Sequence, residues 1–288
     1  MSQAAPATLP HTTLVDTAVL AAHLADPRWV VFDCRHDLTR PDAGASDYAT
    51  GHIPGAFFAH LDRDLAGTRS AHNGRHPLPD RKRLAEKFGG AGLTSGAQLV
   101  AYDAQGGMCA ARLWWLTRWL GHQNVAVLDG SWQQWLAEGR PVSREVPQSR
   151  VSRFQEKSGV QAVTAAYVLD NLTSIALIDA RSPDRFRGEN ETLDPVGGRI
   201  PGARNRFFRE NLDLNGKFKP AWLLKQEFDA LISGTAIGGV VHSCGSGVSA
   251  CHNLLAMEVA GLPGSRLYPG SWSEWCADPA RPVARGEA

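Results

Sequence analysis

Three stretches of this sequence occur twice, in the same order. GHIPGA at Gly51–Ala56 returns as GRIPGA at Gly198–Ala203, and VVFDCR, ending at Arg35, returns as ALIDAR, ending at Arg181. DGSWQQW at Asp129–Trp135 returns as PGSWSEW at Pro269–Trp275, and RPV follows each copy, at Arg140–Val142 and Arg281–Val283. The offsets of 147, 146 and 140 residues are nearly constant. Ordered copies at such an offset require a duplicated unit of domain size. Solenoid repeats, at about 20–50 residues, are far shorter. The 288-residue chain holds two such units, each within the usual span of a domain.

Each half has the same rhythm. Val30–Asp33 and Ala176–Asp179 are short apolar runs closing on Asp, and Leu99–Tyr102 and Gly239–His242 are again short and apolar. Ala110–Leu120 and Ser249–Ala260 have helical length, with Gly121 and Gly261 just past their ends as stops. Short apolar strands alternating with helices predict an α/β fold, a mostly parallel sheet flanked by helices in each half. Val142–Gly159 lacks apolar periodicity and collects Ser, Arg, Pro and Gln, which marks the junction. The expected division is a first domain over 1–145, a linker over 146–159 and a second domain over 160–288.

The formal net charge is +1. That leaves no field to hold a polyanion and argues against a nucleic-acid partner. No apolar run approaches the roughly 20 residues that cross a bilayer, so no membrane partner is expected. Met1–Pro10, MSQAAPATLP, has neither the basic start nor the apolar stretch of a secretory signal. Five cysteines, an odd number without a CxxC pair, give neither a disulfide framework nor a zinc site. A reducing, cytoplasmic setting is expected, in which a thiol stays reactive.

One of those thiols falls where α/β sheets do their chemistry. Val240–Ala250 reads VVHSCGSGVSA: a strand ends, a cysteine follows, then glycines and small polar residues, then a helix. Ligands of open α/β sheets bind beyond the carboxyl ends of the strands, the place of Cys244. Gly245 and Gly247 allow positive φ, so loop N–H groups can turn toward one centre. The following helix adds its N-terminal partial charge, and together these favour a thiolate. The aligned position of the first half, in LVAYDAQGG, is Asp103; one half carries the nucleophile and the other supports it. Cys34, Cys109, Cys251 and Cys276 read as structural thiols. Trp132 and Trp135 recur as Trp272 and Trp275, which suits packing better than ligand stacking.

With these motifs in place, the chain resembles the two-domain rhodanese-type sulfurtransferases, and most closely their 3-mercaptopyruvate sulfurtransferase branch. The likeness is carried by GHIPGA and GRIPGA, the paired GSW motifs, ARLWW at Ala111–Trp115 and CGSGVSA at Cys244–Ala250, and it runs from about Thr13 to Val283. The loop differs from that branch's usual CGSGVTA only at Ser249. The resemblance implies tandem rhodanese-like domains, with catalysis in the second at a pocket between the two. Cys244 would take the outer sulfur of a small-molecule donor as a persulfide and pass it to a second nucleophile. The donor would be 3-mercaptopyruvate, with thiosulfate as the alternative. The acceptor would be a thiol, such as thioredoxin or a small thiol, or cyanide. No cofactor and no metal are implied, because sulfur is itself the carried group.

The resemblance also assigns roles. Loop N–H groups from Gly245, Ser246, Gly247, Val248 and Ser249 would hold anionic sulfur. A Ser–His–Asp set for proton handling maps onto Ser246, His76 in GRHPLP and Asp62 in HLDRDL, with Asp64 a close competitor. Arg185, in SPDRFRG, corresponds to the arginine that grips the donor's carboxylate, with Arg187 an adjacent rival. A second arginine is usual several residues later. Gly188–Val196, GENETLDPV, contains none, and Arg199, standing where GHIPGA has His52, is the candidate replacement. Arg35 and Arg181, each two residues after a strand-ending Asp, read as ion-pair partners. The uncharged loop after Cys244 offers little to a divalent anion, which favours 3-mercaptopyruvate over thiosulfate.

Two other classes compete. Cys-dependent phosphatases of this fold resemble C-x5-R, but the sixth residue after Cys244 is Ala250 and no arginine lies between. A non-catalytic binding module is the second, since Asp103 stands where a nucleophile could. A retained cysteine in a donor-presenting loop fits chemistry better.

Overall fold

The computed structural model describes residues 10–150 and 152–287. Residues 1–9, on which the reading of the N-terminus as lacking a signal rests, lie outside the described residues, as does Val151 of the expected linker.

The first half contributes β1 (Leu14–Val15), β2 (Trp29–Asp33), β3 (Phe57–Phe58), β4 (Gln98–Tyr102) and β5 (Val125–Leu128). They pair in the order β1-β5-β4-β2-β3, every pairing parallel. The second half contributes β6 (Ala176–Asp179), β7 (Arg204–Asn205), β8 (Val240–Ser243) and β9 (Arg266–Leu267), ordered β7-β6-β8-β9 and again parallel. The second sheet has the first sheet's order without a counterpart of β1. There, an isolated parallel bridge joins Ala162 to Leu267 at the same edge. β4, β5, β6 and β8 are buried along their whole length, as strands covered on both faces must be. Hence their sequences are mostly apolar and lack a polar residue at every second position.

The duplicated motifs become duplicated contacts. Arg35 pairs with Asp33 at 2.6 Å and donates to the Gly51 carbonyl at 2.6 Å. Arg181 pairs with Asp179 at 2.7 Å and donates to the Gly198 carbonyl at 2.8 Å. Each guanidinium lies over the first tryptophan of its own GSW motif, 4.6 Å from the Trp132 ring and 4.9 Å from the Trp272 ring. Trp135 and Trp275 complete the set by donating to the carbonyls of Pro141 and Pro282. The strand-end Asp, its arginine, the GSW turn and the RPV tail therefore form one interlocked unit, built twice.

The halves share a core. Helix Met108–Trp119 of the first packs on helix Ala250–Val259 of the second, and both are buried almost all round; neither needs a polar face. Arg118 pairs with Glu258 at 2.9 Å across this contact, and the Phe218 N–H donates to Asp129 at 2.9 Å. The segment after Val142 is fastened to the first half: Ser152 Oγ donates to the Leu93 carbonyl at 2.8 Å, and Lys157 N–H to the Leu120 carbonyl at 2.8 Å. No helix among the described residues is long and apolar enough to cross a membrane.

Candidate active site

β8 runs out at Ser243, and Cys244 is the first residue beyond it. Its N–H donates to Ser271 Oγ at 3.0 Å, and that hydroxyl donates to the Tyr268 carbonyl at 2.9 Å. Ser271 holds this position at a left-handed φ of 53°, strain that a non-glycine residue keeps only where its surroundings fix it. Gly247 has a φ of 76°, and a Cβ there would stand 2.3 Å from the Pro269 carbonyl oxygen. Only glycine closes the loop this tightly. Closure brings the Gly247 N–H to 3.1 Å and the Ser246 N–H to 3.4 Å from the Cys244 sulfur.

Two of the five expected loop donors therefore face the sulfur. Val248 and Ser249 line the pocket instead, and helix Ala250–Val259 starts directly after them. Gly245 does not adopt a left-handed φ, contrary to the expectation for it. Its missing side chain leaves room for Arg75: a Cβ there would lie 2.7 Å from Arg75 Nη2 and would have to displace the end of that side chain.

The corresponding loop of the first half also gathers backbone donors, around the side chain of Asp103. The buried Asp103 carboxylate accepts N–H groups from Gln105, Gly107, Cys109 and Ala110 at 2.9, 2.8, 2.7 and 3.0 Å. Burial raises its pKa above the ordinary carboxylate value, and the four donors oppose that shift. Loops of this design thus gather backbone donors around one atom group.

His76 brings the relay residues together. Its Nδ1 lies 2.7 Å from Ser246 Oγ, and its Nε2 lies 3.0 Å from Asp62 Oδ1. The His76 bond holds the Asp62 carboxyl below its usual range, so this carboxylate only accepts and Nε2 carries the proton. Nδ1 is then the acceptor, and the Ser246 hydroxyl donates to it. Burial lowers the His76 pKa, opposed by the bond to Asp62, which keeps the ring neutral at neutral pH. The competitor Asp64 is spent elsewhere: it accepts the His60 N–H at 2.8 Å and pairs with Lys87 at 2.9 Å. His36, His60 and Asp62 offer ligand atoms within 4.8 Å of one another. His60 Nδ1 accepts the Asp62 N–H at 3.1 Å, which fastens the backbone of Asp62 to that ring.

Cys244 opens into a cavity of about 360 Å³ lined from both halves, by His36, Leu38, Arg75 and Met108 on one side and Arg185, Phe208 and the loop on the other. Arg185 faces it, held by Glu191 at 2.8 Å. Arg187 points away and pairs with Glu189 at 2.8 Å. Arg199 does not line the cavity, and its candidacy as a second substrate cation is corrected here. Its guanidinium donates to the carbonyls of Gly286 and Glu287 at 2.6 and 2.8 Å. In the first half His52 Nε2 sits 3.1 Å from the Glu145 carbonyl oxygen. Both side chains anchor the tail that follows RPV, which is why the motif position carries them.

Two residues went unassigned in the sequence. Arg75 reaches the cavity from the residue beside His76. Arg112, inside ARLWW, is fully buried and has no carboxylate partner among the described residues. It donates to the Gly247 carbonyl at 3.0 Å and to the His76 carbonyl at 3.0 Å, so one guanidinium positions both the cysteine loop and the relay. An arginine inside an otherwise apolar helix is the signal that marks it. Burial disfavours the thiolate at the other cysteines: it pushes Cys251 up to about 12 and Cys276 up to about 11, and raises Cys34 and Cys109 well above the ordinary thiol value.

This geometry has relatives. The rhodanese-like domain family matches residues 16–138 and 164–278. A probable 3-mercaptopyruvate sulfurtransferase of Pseudomonas aeruginosa is 46% identical over 279 residues, covering 95% of this chain and 98% of that protein. A thiosulfate sulfurtransferase of Bos taurus is 32% identical over 253 residues, covering 84% of this chain and 83% of that one. Among solved structures, a 3-mercaptopyruvate sulfurtransferase from Leishmania major superposes with a TM-score of 0.82 at 28% identity, covering 94% of this chain and 75% of that one.

Proposed function

The chain belongs to the rhodanese family of sulfurtransferases, and on that premise we propose that it carries sulfur from 3-mercaptopyruvate through a Cys244 persulfide to a thiol or cyanide. The observation that carries this reading is the continuous path from the Cys244 loop through Ser246 and His76 to Asp62. A thiosulfate donor needs no proton moved. A mercaptopyruvate donor does, because its thiol proton must end on carbon.

The two half-reactions balance as follows. The Cys244 thiolate attacks the donor sulfur, an S–S bond forms, and the C–S bond breaks with its electron pair going to carbon as the enolate of pyruvate. The thiol proton passes to Ser246 and His76 and returns to that carbon, leaving pyruvate and the persulfide anion. The Ser246 and Gly247 N–H groups stabilise the charge on sulfur throughout. An acceptor thiolate, or cyanide, then attacks the outer sulfur and expels the Cys244 thiolate, giving a new persulfide or thiocyanate. The first half, residues 1–145 on this reading, contributes His76 and Asp62, and residues 160–288 contribute the nucleophile and Ser246. The buried, unpaired cysteines support a reducing, cytoplasmic compartment, with thioredoxin or a small thiol as acceptor.

The test is a side-by-side measurement of kcat/KM for 3-mercaptopyruvate and thiosulfate, because specificity is the ratio of the two. The reading expects mercaptopyruvate to lead and the protein to gain one sulfur in mass, an adduct lost in Cys244→Ser. A lead for thiosulfate would overturn the donor assignment, and an adduct surviving in Cys244→Ser would overturn the nucleophile.

A further inference from the structure

We infer that Arg75, from the first half, is the second cation of the donor site, and that Arg75 and Arg185 together select a donor whose carboxylate is two carbons removed from its sulfur. This rests on the mercaptopyruvate reading above and adds the residue that makes it specific.

The stretch Gly188–Val196 has no arginine to pair with Arg185, and offers acids in its place. Glu191 takes Arg185 through Nε at 3.2 Å and Nη2 at 2.8 Å. Asp194 forms an ion pair with Arg75 Nη1 across the interface between the halves. The second oxygen of Asp194 is buried, has no hydrogen-bond partner, and lies 3.7 Å from Arg185 Nη2. Glu191 holds Arg185, and Asp194 reaches toward both guanidiniums. One carboxylate, that of Asp194, already lies between them, which illustrates the ligand chemistry this pair accepts.

The nitrogens left free converge on one spot. A methyl group built on Gly245 would meet Arg75 Nη2 at 2.7 Å, Arg185 Nη2, already taken by Glu191, at 3.5 Å, and the unengaged Arg185 Nη1 at 3.6 Å. Gly245 adjoins Cys244, and both arginines line its cavity. A carboxylate two carbons from a sulfur lies roughly 4 Å from it by ordinary bond lengths. A donor with its sulfur at Cys244 would therefore set its carboxylate beside Gly245, between two guanidiniums able to share its lone pairs. The arginine missing from the second half is replaced from the first, and the acid in that stretch recruits it.

The test compares two donors that differ only in the carboxylate: 3-mercaptopyruvate, and 1-mercaptopropan-2-one, which has a methyl group in its place. Arg75→Ala should lower kcat/KM for mercaptopyruvate about 10- to 100-fold, the loss expected for charge-assisted hydrogen bonds, mainly through KM. The value for mercaptopropanone should stay within about twofold, and Arg75→Lys should restore part of the loss. Equal losses with both donors, or no loss with either, overturn the assignment of Arg75. A wild-type protein that takes no sulfur from mercaptopyruvate overturns the donor reading itself. Unchanged mercaptopropanone turnover in Arg75→Ala also reports that the interface has stayed intact.

Discussion

Ser246 Oγ stands 2.7 Å from His76 Nδ1, although 170 residues separate the two. The hydroxyl belongs to the loop after β8 and the ring to the first half, so the hydrogen bond exists only once the halves have docked. On the proposed reading, a half without a nucleophile is thereby given work in the reaction. His76→Ala is expected to lower kcat with mercaptopyruvate by about 10²- to 10⁴-fold. Asp62→Asn should also lose activity, because an amide can donate to Nε2 and reverse the tautomer. Stopped-flow measurement of pyruvate release checks both; a loss below about threefold in His76→Ala would remove the relay from the mechanism.

The same ring sets a pH dependence. Burial lowers the His76 pKa below its ordinary 6.5, and Asp62 opposes that shift. The neutral ring is the form that accepts a proton, so the acid limb of kcat/KM should lie below pH 6.5. Removing the Asp62 charge removes the opposing influence, and the limb of Asp62→Asn should move to still lower pH. A limb at or above 6.5 in the wild-type profile contradicts the buried, neutral assignment.

Arg112 offers a sharper structural test. Arg112→Met keeps much of the side-chain volume but leaves the His76 carbonyl without its side-chain donor and the Gly247 carbonyl with only the weak Cys251 thiol. Each buried acceptor so stranded costs about 1–3 kcal/mol. Urea unfolding should report a loss of at least about 2 kcal/mol, and persulfide formation should slow as the loop and the relay lose their common tie. Full stability together with full activity would mean that Arg112 positions neither.

What could be read in the sequence was whatever is local or repeated. The strand ends, the two long helices and the cysteine loop each announce themselves within a dozen residues. Asp33–Arg35 and Asp179–Arg181 could be recognised as pairs because the duplication prints them twice. Contacts between the halves left no such trace. The partners Arg75 and Asp194 lie 119 residues apart, and nothing in either neighbourhood specifies the other. Arg199 misled because its motif position suggested a site residue, whereas its repeat partner His52 shares its anchoring role. Gly245 was read for its backbone freedom, but the structure uses its missing side chain.

Two buried histidines should make the fold acid-labile. Burial alone lowers His242 to about 3, and burial lowers His252 to about 4 against a weaker opposing bond to the Gly106 carbonyl. Below pH 6.5 the unfolded chain binds protons there that the folded chain refuses. Stability is therefore flat above 6.5 and falls as pH drops toward the folded values. Between pH 7.5 and 5 the pair should cost about 4 kcal/mol. Urea unfolding at the two pH values measures this, and His242→Val should lessen the acid-induced loss by about 2 kcal/mol. An unchanged difference in that variant would place the acid sensitivity elsewhere.

Asp103 separates support from catalysis. Asp103→Ala leaves four N–H groups without their acceptor and should cost at least about 2 kcal/mol in stability. Donor turnover measured well below the unfolding transition should stay within about twofold, since Asp103 does not line the cavity of Cys244. A large fall in kcat with the fold intact would give the first-half loop a catalytic part.

Gly245→Ala joins the loop to the arginine pair. The added methyl would stand 2.7 Å from Arg75 Nη2, closer than any side chain tolerates, and the flexible arginine is the partner able to give way. The substitution should therefore act by displacing Arg75. In the wild-type background, Gly245→Ala should raise KM for mercaptopyruvate by about tenfold. In the Arg75→Ala background the nearest remaining atoms are the Arg185 nitrogens at 3.5 and 3.6 Å, an ordinary contact, and the effect should shrink to about twofold or less. Two effects that simply multiply would mean that the residues act independently, and the methyl would then be acting on the cysteine loop itself. Coupled effects confined to the carboxylate-bearing donor would tie the missing side chain at position 245 to the recognition of that carboxylate.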